Sequence, residues 1–292
     1  MTLRLKEAKN YIAARYPDES VRWTDKGQMN FIAIVGDKFV FKFPKTPENF
    51  KLLQKEHAVY DMLQDKMSLS IPKSIELNTQ EQFLQVSYVA GKTPTEADAS
   101  SMTPLQKSVL AHKLAVFINE LNAPDIKKAF DVIALTDTND FYYVENWLKR
   151  TAEHCKQNPS ELSEAFLNKY SEFSAALPYG FCTGDFLAHK DLHEDNMLFD
   201  GSNTLIGIID FAEVRYTSIY SELRTVIRFG GEVVSQIVKE LGDLASNVRT
   251  QDVKLFATIY EMAIVYQNTY IKNELPWRVN QAKFYLKLWG QA

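Results

Sequence analysis

A chain of 292 residues, 46% of them hydrophobic and 12% aromatic, is too long for one minimal core and suits two lobes around a cleft. Its formal net charge of −4 argues against general affinity for nucleic acid, which needs clustered Lys and Arg. Two cysteines without a CxxC, no cleavable apolar leader and no apolar run of bilayer length point to a globular cytoplasmic chain with no membrane partner, expected to be a monomer. Cys155 and Cys182 have no base beside them in sequence and are read as buried or idle thiols.

The first informative stretch is Gly27-Gln28-Met29-Asn30, ahead of a strand over Phe31–Val35. A glycine before a strand, turn and strand can cover nucleotide phosphates with backbone N–H groups, although no GxxxxGK[ST] occurs. Gly36-Asp37 turns the chain into Lys38–Phe43, where alternation puts Phe39, Phe41 and Phe43 on one face and Val40 and Lys42 on the other. Thr46-Pro47 then reads as an N-cap and first helical residue, opening a helix to about Gln64. Its apolar stripe is Leu52, Leu53, Val59, Tyr60 and Leu63, with Glu56 in the middle. A carboxylate on an apolar face needs a cationic partner, and Lys42 is the nearest candidate.

Ala90-Gly91-Lys92-Thr93-Pro94 ends the β-like alternation and is the expected domain boundary, giving residues 1–90 and 91–292. Helical stripes follow: Leu110, Leu114, Phe117, Ile118 and Leu121, then Leu162, Ala165, Phe166, Tyr170 and Phe173, and later Leu255 to Tyr270. The aromatic residues from Tyr266 through Trp277 to Trp289 are read as packing of terminal helices.

Between these helices lies HKDLHEDNMLFD, from His189 to Asp200, followed at Ile208 by IIDF. Met197-Leu198-Phe199, the turn Asp200-Gly201-Ser202-Asn203 and Thr204–Ile209 read as a hairpin. Symmetry about Asn203 would place Asn196 opposite Asp210. Metal-dependent phosphoryl transfer needs a carboxylate to accept the acceptor's proton and oxygen ligands for magnesium, roles open to Asp191, Asn196 and Asp210. An alternative is that His189, Asp191 and His193 are zinc ligands of a hydrolase; His57, His112 and His154 show no spacing that completes such a site.

Together these motifs resemble the aminoglycoside phosphotransferase family, small-molecule kinases of the protein-kinase-like fold. HxDxxxxN is matched by His189, Asp191 and Asn196, and the DFG-like element by Asp210-Phe211-Ala212. The likeness extends over nearly the whole chain, including Phe41–Pro44, Glu56, Ile71-Pro72 and the Val86–Gly91 segment. It implies an α+β bilobal fold: a small lobe of antiparallel sheet plus helix, and a large, mainly helical lobe carrying the catalytic hairpin. It further implies Asp191 as catalytic base, His189 as structural in its loop, Asn196 and Asp210 as Mg2+ ligands, and Lys42, paired with Glu56, as the phosphate clamp. Ser87, Tyr88 and Val89 would meet the nucleotide base through backbone groups, with Gly27 and Asn30 nearer the phosphates.

Three positions depart from the family pattern: Ala212 for glycine, Lys190 for glycine, and Asn122 where relatives carry Leu-His. Ala212 restricts φ, so a different path is expected for the loop after Asp210. Glu222 resembles the acidic residue that braces the catalytic loop, with glutamate for the usual aspartate. From Asp185 through Glu222, eight acidic residues face two basic ones, Lys190 and Arg215. A negative cleft concentrates polyamines. Glu194, Asp195, Glu213 and Glu222, with Glu232 and Glu261, are therefore candidates for ammonium contacts. The resulting expectation is transfer of the γ-phosphate of ATP or GTP to a hydroxyl of a cationic acceptor, first an aminoglycoside, with antibiotic resistance as its role. Choline, homoserine, methylthioribose and macrolide kinases share the motifs, and a catalytically silent binding protein is the alternative of a different class. A protein kinase fits less well: about a dozen residues separate Asp210 from Glu222, and no Ala-Pro-Glu follows.

Overall fold

The computed structural model describes residues 3–24, 29–134, 143–177, 184–270 and 276–288. The N-terminal elements are α1 (Leu3–Arg15), β1 (Val21–Thr24), β2 (Asn30–Val35), β3 (Phe39–Pro44), α2 (Pro47–Leu63), β4 (Ser74–Asn78) and β5 (Phe83–Ser87). Helices α3 (Glu96–Ser101), α4 (Pro104–Leu121), α5 (Pro124–Ala134), α6 (Tyr143–Gln157) and α7 (Glu161–Ala176) follow. Four short strands come next: β6 (Phe186–Ala188), β7 (Met197–Phe199), β8 (Leu205–Ile208) and β9 (Arg215–Thr217). The chain continues as α8 (Ile219–Val226), α9 (Gly231–Leu241), α10 (Thr250–Tyr270) and α11 (Pro276–Leu288). The fold is α+β, and contacts divide it into two compact units. One comprises Met1–Thr95, Glu120–Asp137 and Glu194–Val214; the other comprises Glu96–Asn119, Thr138–His193 and Arg215–Ala292.

The first unit is built on an antiparallel sheet of order β1-β2-β3-β5-β4, so the lysine strand is central. The alternation in β3 sorts its side chains by face. Phe41 and Phe43 pack with Phe31 and Phe83 beneath Ala8 and Ile12 of α1, while Lys42 faces α2. Helix α1 was not legible from its residues, since Leu5, Ala8 and Ile12 form a thin stripe among polar neighbours and become a core face only against the aromatic sheet. Helix α2 starts as its residues dictate: Thr46 caps it by accepting the Asn49 amide at 3.4 Å, Pro47 opens it, and Gln64 closes it.

The β7–β8 hairpin forms with a register that corrects the symmetric pairing. Met197 pairs with Ile208 and Leu198 with Gly207, but Phe199 pairs with Leu205, leaving Ile206 as an extra residue. This bulge moves Asn196 opposite Ile209, whose amide donates to the Asn196 carbonyl at 3.0 Å; Asp210 lies one residue beyond. Neither edge of the ribbon is open. Ser70 exchanges hydrogen bonds with Ile206 and Ile208 on one side, and Lys92 with Phe199 on the other. Gly207 permits this closeness, because a Cβ there would lie 2.8 Å from the Ser70 carbonyl oxygen and 3.1 Å from Val89 Cγ1. Gly207→Ala is expected to destabilise the protein by about 1–3 kcal/mol, read as a lower midpoint in thermal or urea unfolding.

In the second unit, α6, α7 and α10 share a core in which Leu148, Phe166, Phe173, Phe256, Ile259 and Tyr266 are buried. The predicted helical stripes supply all of these side chains except Leu148, which comes from α6. Tyr266 packs inside, as expected of the terminal helices, whereas the Trp277 side chain and Trp289 lie outside the described residues. Cys155 is a buried free thiol, pushed up by burial, and Cys182 lies outside the described residues. No helix among the described residues is long and apolar enough to cross a membrane.

Candidate active site

In the first unit, three ionisable groups meet at the end of the sheet. Lys42 Nζ lies 2.6 Å from Glu56 Oε1 and 3.0 Å from Asp210 Oδ1. The same Glu56 oxygen accepts the Tyr60 hydroxyl at 2.7 Å and the Phe211 amide at 3.1 Å. Glu56 is fully buried and Lys42 nearly so, a placement that an isolated charge would not tolerate. Burial lowers the Lys42 ammonium, but the carboxylates of Asp210 and Glu56 outweigh it and hold the group above the ordinary lysine range. Burial pushes the Glu56 carboxyl up against the pull of Lys42. Three donors converging on one oxygen are the hydrogen bonds of an ionised carboxylate, so the charged pair is the resident state.

Asp210 leaves β8 in the left-handed region, at φ 67° and ψ 72°. That turn sends its carboxylate to Lys42 while the Phe211 amide goes to Glu56 and the Phe211 ring packs 5.4 Å from Tyr60. The conformational demand expected at Ala212 therefore falls two residues earlier. Ala212 sits in a short 3-10 turn, Phe211–Glu213, and positive φ belongs to Asp210, so glycine is not required after Phe211. Asn196 closes another 3-10 turn, Glu194–Asn196, and is buried as it enters β7. A half-exposed carboxylate and an amide at neighbouring positions of one ribbon are hard oxygen donors, which fit magnesium.

The residues predicted around the nucleotide are placed unevenly. Gly27 lies outside the described residues. Asn30 is half-buried in β2 opposite Pro44, and its Oδ1 has no hydrogen-bond partner among the described residues. The Ser87 amide donates to the Lys73 carbonyl at 2.8 Å and the Tyr88 amide to that of Lys38 at 2.9 Å. These two amides are donors within the protein itself.

The second unit holds His189 and Asp191 of the candidate loop. β6 delivers His189, whose buried ring stands 6.3 Å from Phe117 and whose Nδ1 accepts the Asp191 amide at 3.3 Å. Glu222, in the first turn of α8, accepts the His189 amide at 3.0 Å and the Lys190 amide at 2.6 Å. Between them Lys190 adopts φ 69°, the glycine-like geometry at the position where the family carries glycine. Asp191 is partly exposed and its Oδ2 lies 3.3 Å from His193 Nε2. Burial raises the Asp191 carboxyl, but the hydrogen bond and charge of His193, with His189 and Arg224, outweigh it and hold Asp191 well below the usual carboxylate range. The zinc reading is not supported: His189 turns its ring nitrogen to the loop backbone, and no group of three His, Cys, Asp or Glu side chains that could hold a metal occurs among the described residues.

Burial pushes Glu222 up to about 7, against the two backbone donors. With its folded value above its unfolded one, Glu222 contributes stability that is full below about pH 4.5 and fades as pH rises through 7. Thermal midpoints measured from pH 5 to 8 should decline more steeply in the wild type than in Glu222→Gln, whatever offset the substitution brings.

The acidic candidates for acceptor contacts separate by environment. In the first unit Asp195 is exposed, Glu213 half-buried and Glu194 buried. In the second, Glu222 is buried against the loop amides, and Glu261 is buried with Arg228 at 2.9 Å and Arg224 at 4.0 Å. Glu232 is paired with Lys107 at 2.6 Å. Glu222 and Glu261 are thus both buried, the first on two backbone amides and the second as the counter-charge of two arginines. Sequence reasoning could not see those partners, which lie 33 residues away for Glu261 and 125 for Glu232. It also counted Tyr60 only as an apolar residue of α2, although its place four residues after Glu56 was the available signal.

Residues 25–249 match the family model described as the phosphotransferase enzyme family. The GDP complex of wild-type aminoglycoside 2'-phosphotransferase-IIIa is 20% identical over 98% of both chains, with a TM-score of 0.77. The streptomycin–ATP ternary complex of APH(2")-IIa is 19% identical over 97% of both, with a TM-score of 0.68. The apoenzyme of macrolide 2'-phosphotransferase MphH from Brachybacterium faecium is 14% identical, covering 94% of this chain and 96% of that one, with a TM-score of 0.69. At such identities the likeness establishes the kinase-like fold, and the match of the family to most of the chain establishes membership. The chain belongs to the phosphotransferase enzyme family.

Proposed function

We propose that the protein transfers the γ-phosphate of ATP or GTP to a hydroxyl of a small cationic acceptor, with an aminoglycoside as the leading class. The observation that carries this reading is the convergence of Lys42, Glu56 and Asp210, because a buried lysine shared between a helix carboxylate and a turn carboxylate is what a phosphate clamp beside a metal ligand requires. Lys42 would hold the α- and β-phosphates, oriented by Glu56. Magnesium, held through Asn196 and Asp210, would supply charge neutralisation at the phosphate oxygens. Asp191, five residues before Asn196 in the chain, would accept the acceptor's hydroxyl proton as that oxygen bonds to the γ-phosphorus and the bond to the nucleoside diphosphate breaks. The proton then passes to solvent. Backbone groups of Ser87, Tyr88 and Val89 would meet the base.

A macrolide acceptor is the second reading, favoured by the withdrawal of Glu222 and Glu261 into the interior, which thins the negative charge available to a polyamine. Nucleotide consumption with aminoglycosides, macrolides, choline, homoserine and methylthioribose tests both, with Asp191→Ala as control. Turnover above the acceptor-free rate with an aminoglycoside supports the leading reading, and turnover with another acceptor alone replaces it. Binding of magnesium-nucleotide without turnover on any acceptor would make the chain a silent binding protein.

A further inference from the structure

Tyr60 is fully buried, yet its hydroxyl is not idle. It stands one helical turn after Glu56 on the same face of α2 and donates to Glu56 Oε1 at 2.7 Å. That oxygen also takes Lys42 at 2.6 Å and the Phe211 amide at 3.1 Å. The Tyr60 ring rests 5.4 Å from the Phe211 ring, so one side chain touches both the carboxylate and the residue following Asp210.

The other Glu56 oxygen, Oε2, is buried and has no hydrogen-bond partner among the described residues. Among the described residues, hydrogen bonds therefore orient the carboxylate through Oε1 alone. A charged group with a single anchored oxygen depends on every donor that reaches it. Lys42 moves with its two acceptors, and Phe211 holds α2 to the Asp210 turn. Burial and the carboxylates of Glu56 and Asp210 keep the Tyr60 phenol far above the ordinary tyrosine value, so it acts as a hydrogen-bond donor at any working pH.

We propose that Tyr60 is a positioning residue for phosphoryl transfer: its hydroxyl fixes the Glu56 carboxylate so that Lys42 and the Asp210 turn are held together in nucleotide-binding geometry. This rests on the assignment of Lys42 and Asp210 to the nucleotide. Loss of the hydroxyl frees Glu56 to turn on its side chain and leaves the Lys42 ammonium weighted toward Asp210, where it competes with magnesium for the same carboxylate.

Binding of ATP and of GTP to wild type and Tyr60→Phe, titrated with magnesium and read by calorimetry without acceptor, tests the proposal. Tyr266→Phe serves as the reference, since it removes a buried hydroxyl 2.8 Å from His154 Nδ1 in the helical unit. Tyr60→Phe should weaken nucleotide binding about three- to tenfold, the change a typical single hydrogen bond supports, and should raise the magnesium concentration at half-saturation. Tyr266→Phe should lower the thermal midpoint and leave both quantities unchanged. The proposal is overturned if Tyr60→Phe binds nucleotide and magnesium as wild type does, if both variants shift binding alike, or if Tyr60→Phe does not fold, which would make the hydroxyl a stability element. Failure of wild type to bind either nucleotide would instead reject the functional reading itself.

Discussion

Asp191→Ala is expected to lower kcat by roughly 10²–10⁴-fold while nucleotide affinity stays near wild type, because it removes the group proposed to take the acceptor's proton. The proposed phosphate clamp consists of other residues, Lys42, Glu56 and Asp210, which the substitution leaves intact. Asp191→Asn keeps the shape and should fall nearly as far, since an amide cannot receive the proton. The environment of Asp191 suits the role: His193 at 3.3 Å keeps it ionised, and its partial exposure leaves it reachable by a hydroxyl. Stability should change little, because the pair is partly solvated and such pairs are weak. Steady-state kinetics on the best acceptor, with nucleotide binding measured separately, decide the matter. A loss smaller than about tenfold in kcat would remove Asp191 from the chemistry.

Lys42→Met is expected to have the largest combined effect on binding and stability. It strands Glu56, fully buried, with only Tyr60 and the Phe211 amide as donors. Breaking a buried ion pair by removing one partner costs about 3–5 kcal/mol, so unfolding should begin at markedly lower temperature or denaturant. Nucleotide affinity should fall by at least about tenfold with the clamp gone. Adding Glu56→Gln to Lys42→Met should restore part of the lost stability and none of the nucleotide affinity, because the amide oxygen can still accept from Tyr60 and Phe211 without carrying charge. If the double variant were no more stable than Lys42→Met alone, the unpaired Glu56 charge would not be the cause of the loss.

The elements that proved legible are those whose pattern is short-range. Alternation in Phe39–Phe43 sorted the faces of β3, Thr46-Pro47 marked the start of α2, and Glu56 on an apolar stripe called for a cation that the sheet delivers as Lys42. The spacing of Asp191, Asn196 and Asp210 likewise stands in the chain before any fold is known. Helix α1 escaped because its stripe is thin. The hairpin register escaped because a bulge at Ile206 is stabilised by Ser70 and Lys92, which lie more than a hundred residues away and leave no local mark in Asp200–Ile209.

The acidic residues teach the opposite lesson about local charge. Counting carboxylates near the catalytic loop treats Glu213, Glu222 and Asp195 as equals, yet one lies between two backbone amides in the interior while another stands in solvent. Sequence by itself determined the reaction class, because phosphoryl transfer constrains residue types at close spacing along the chain. Only the tertiary structure decided which carboxylates are buried counter-charges, which strand amides are already spent, and that Asp210 rather than Ala212 carries the left-handed turn. Those outcomes depend on partners brought together across long sequence separations, where burial and hydrogen bonding, rather than residue identity, set what each group can do.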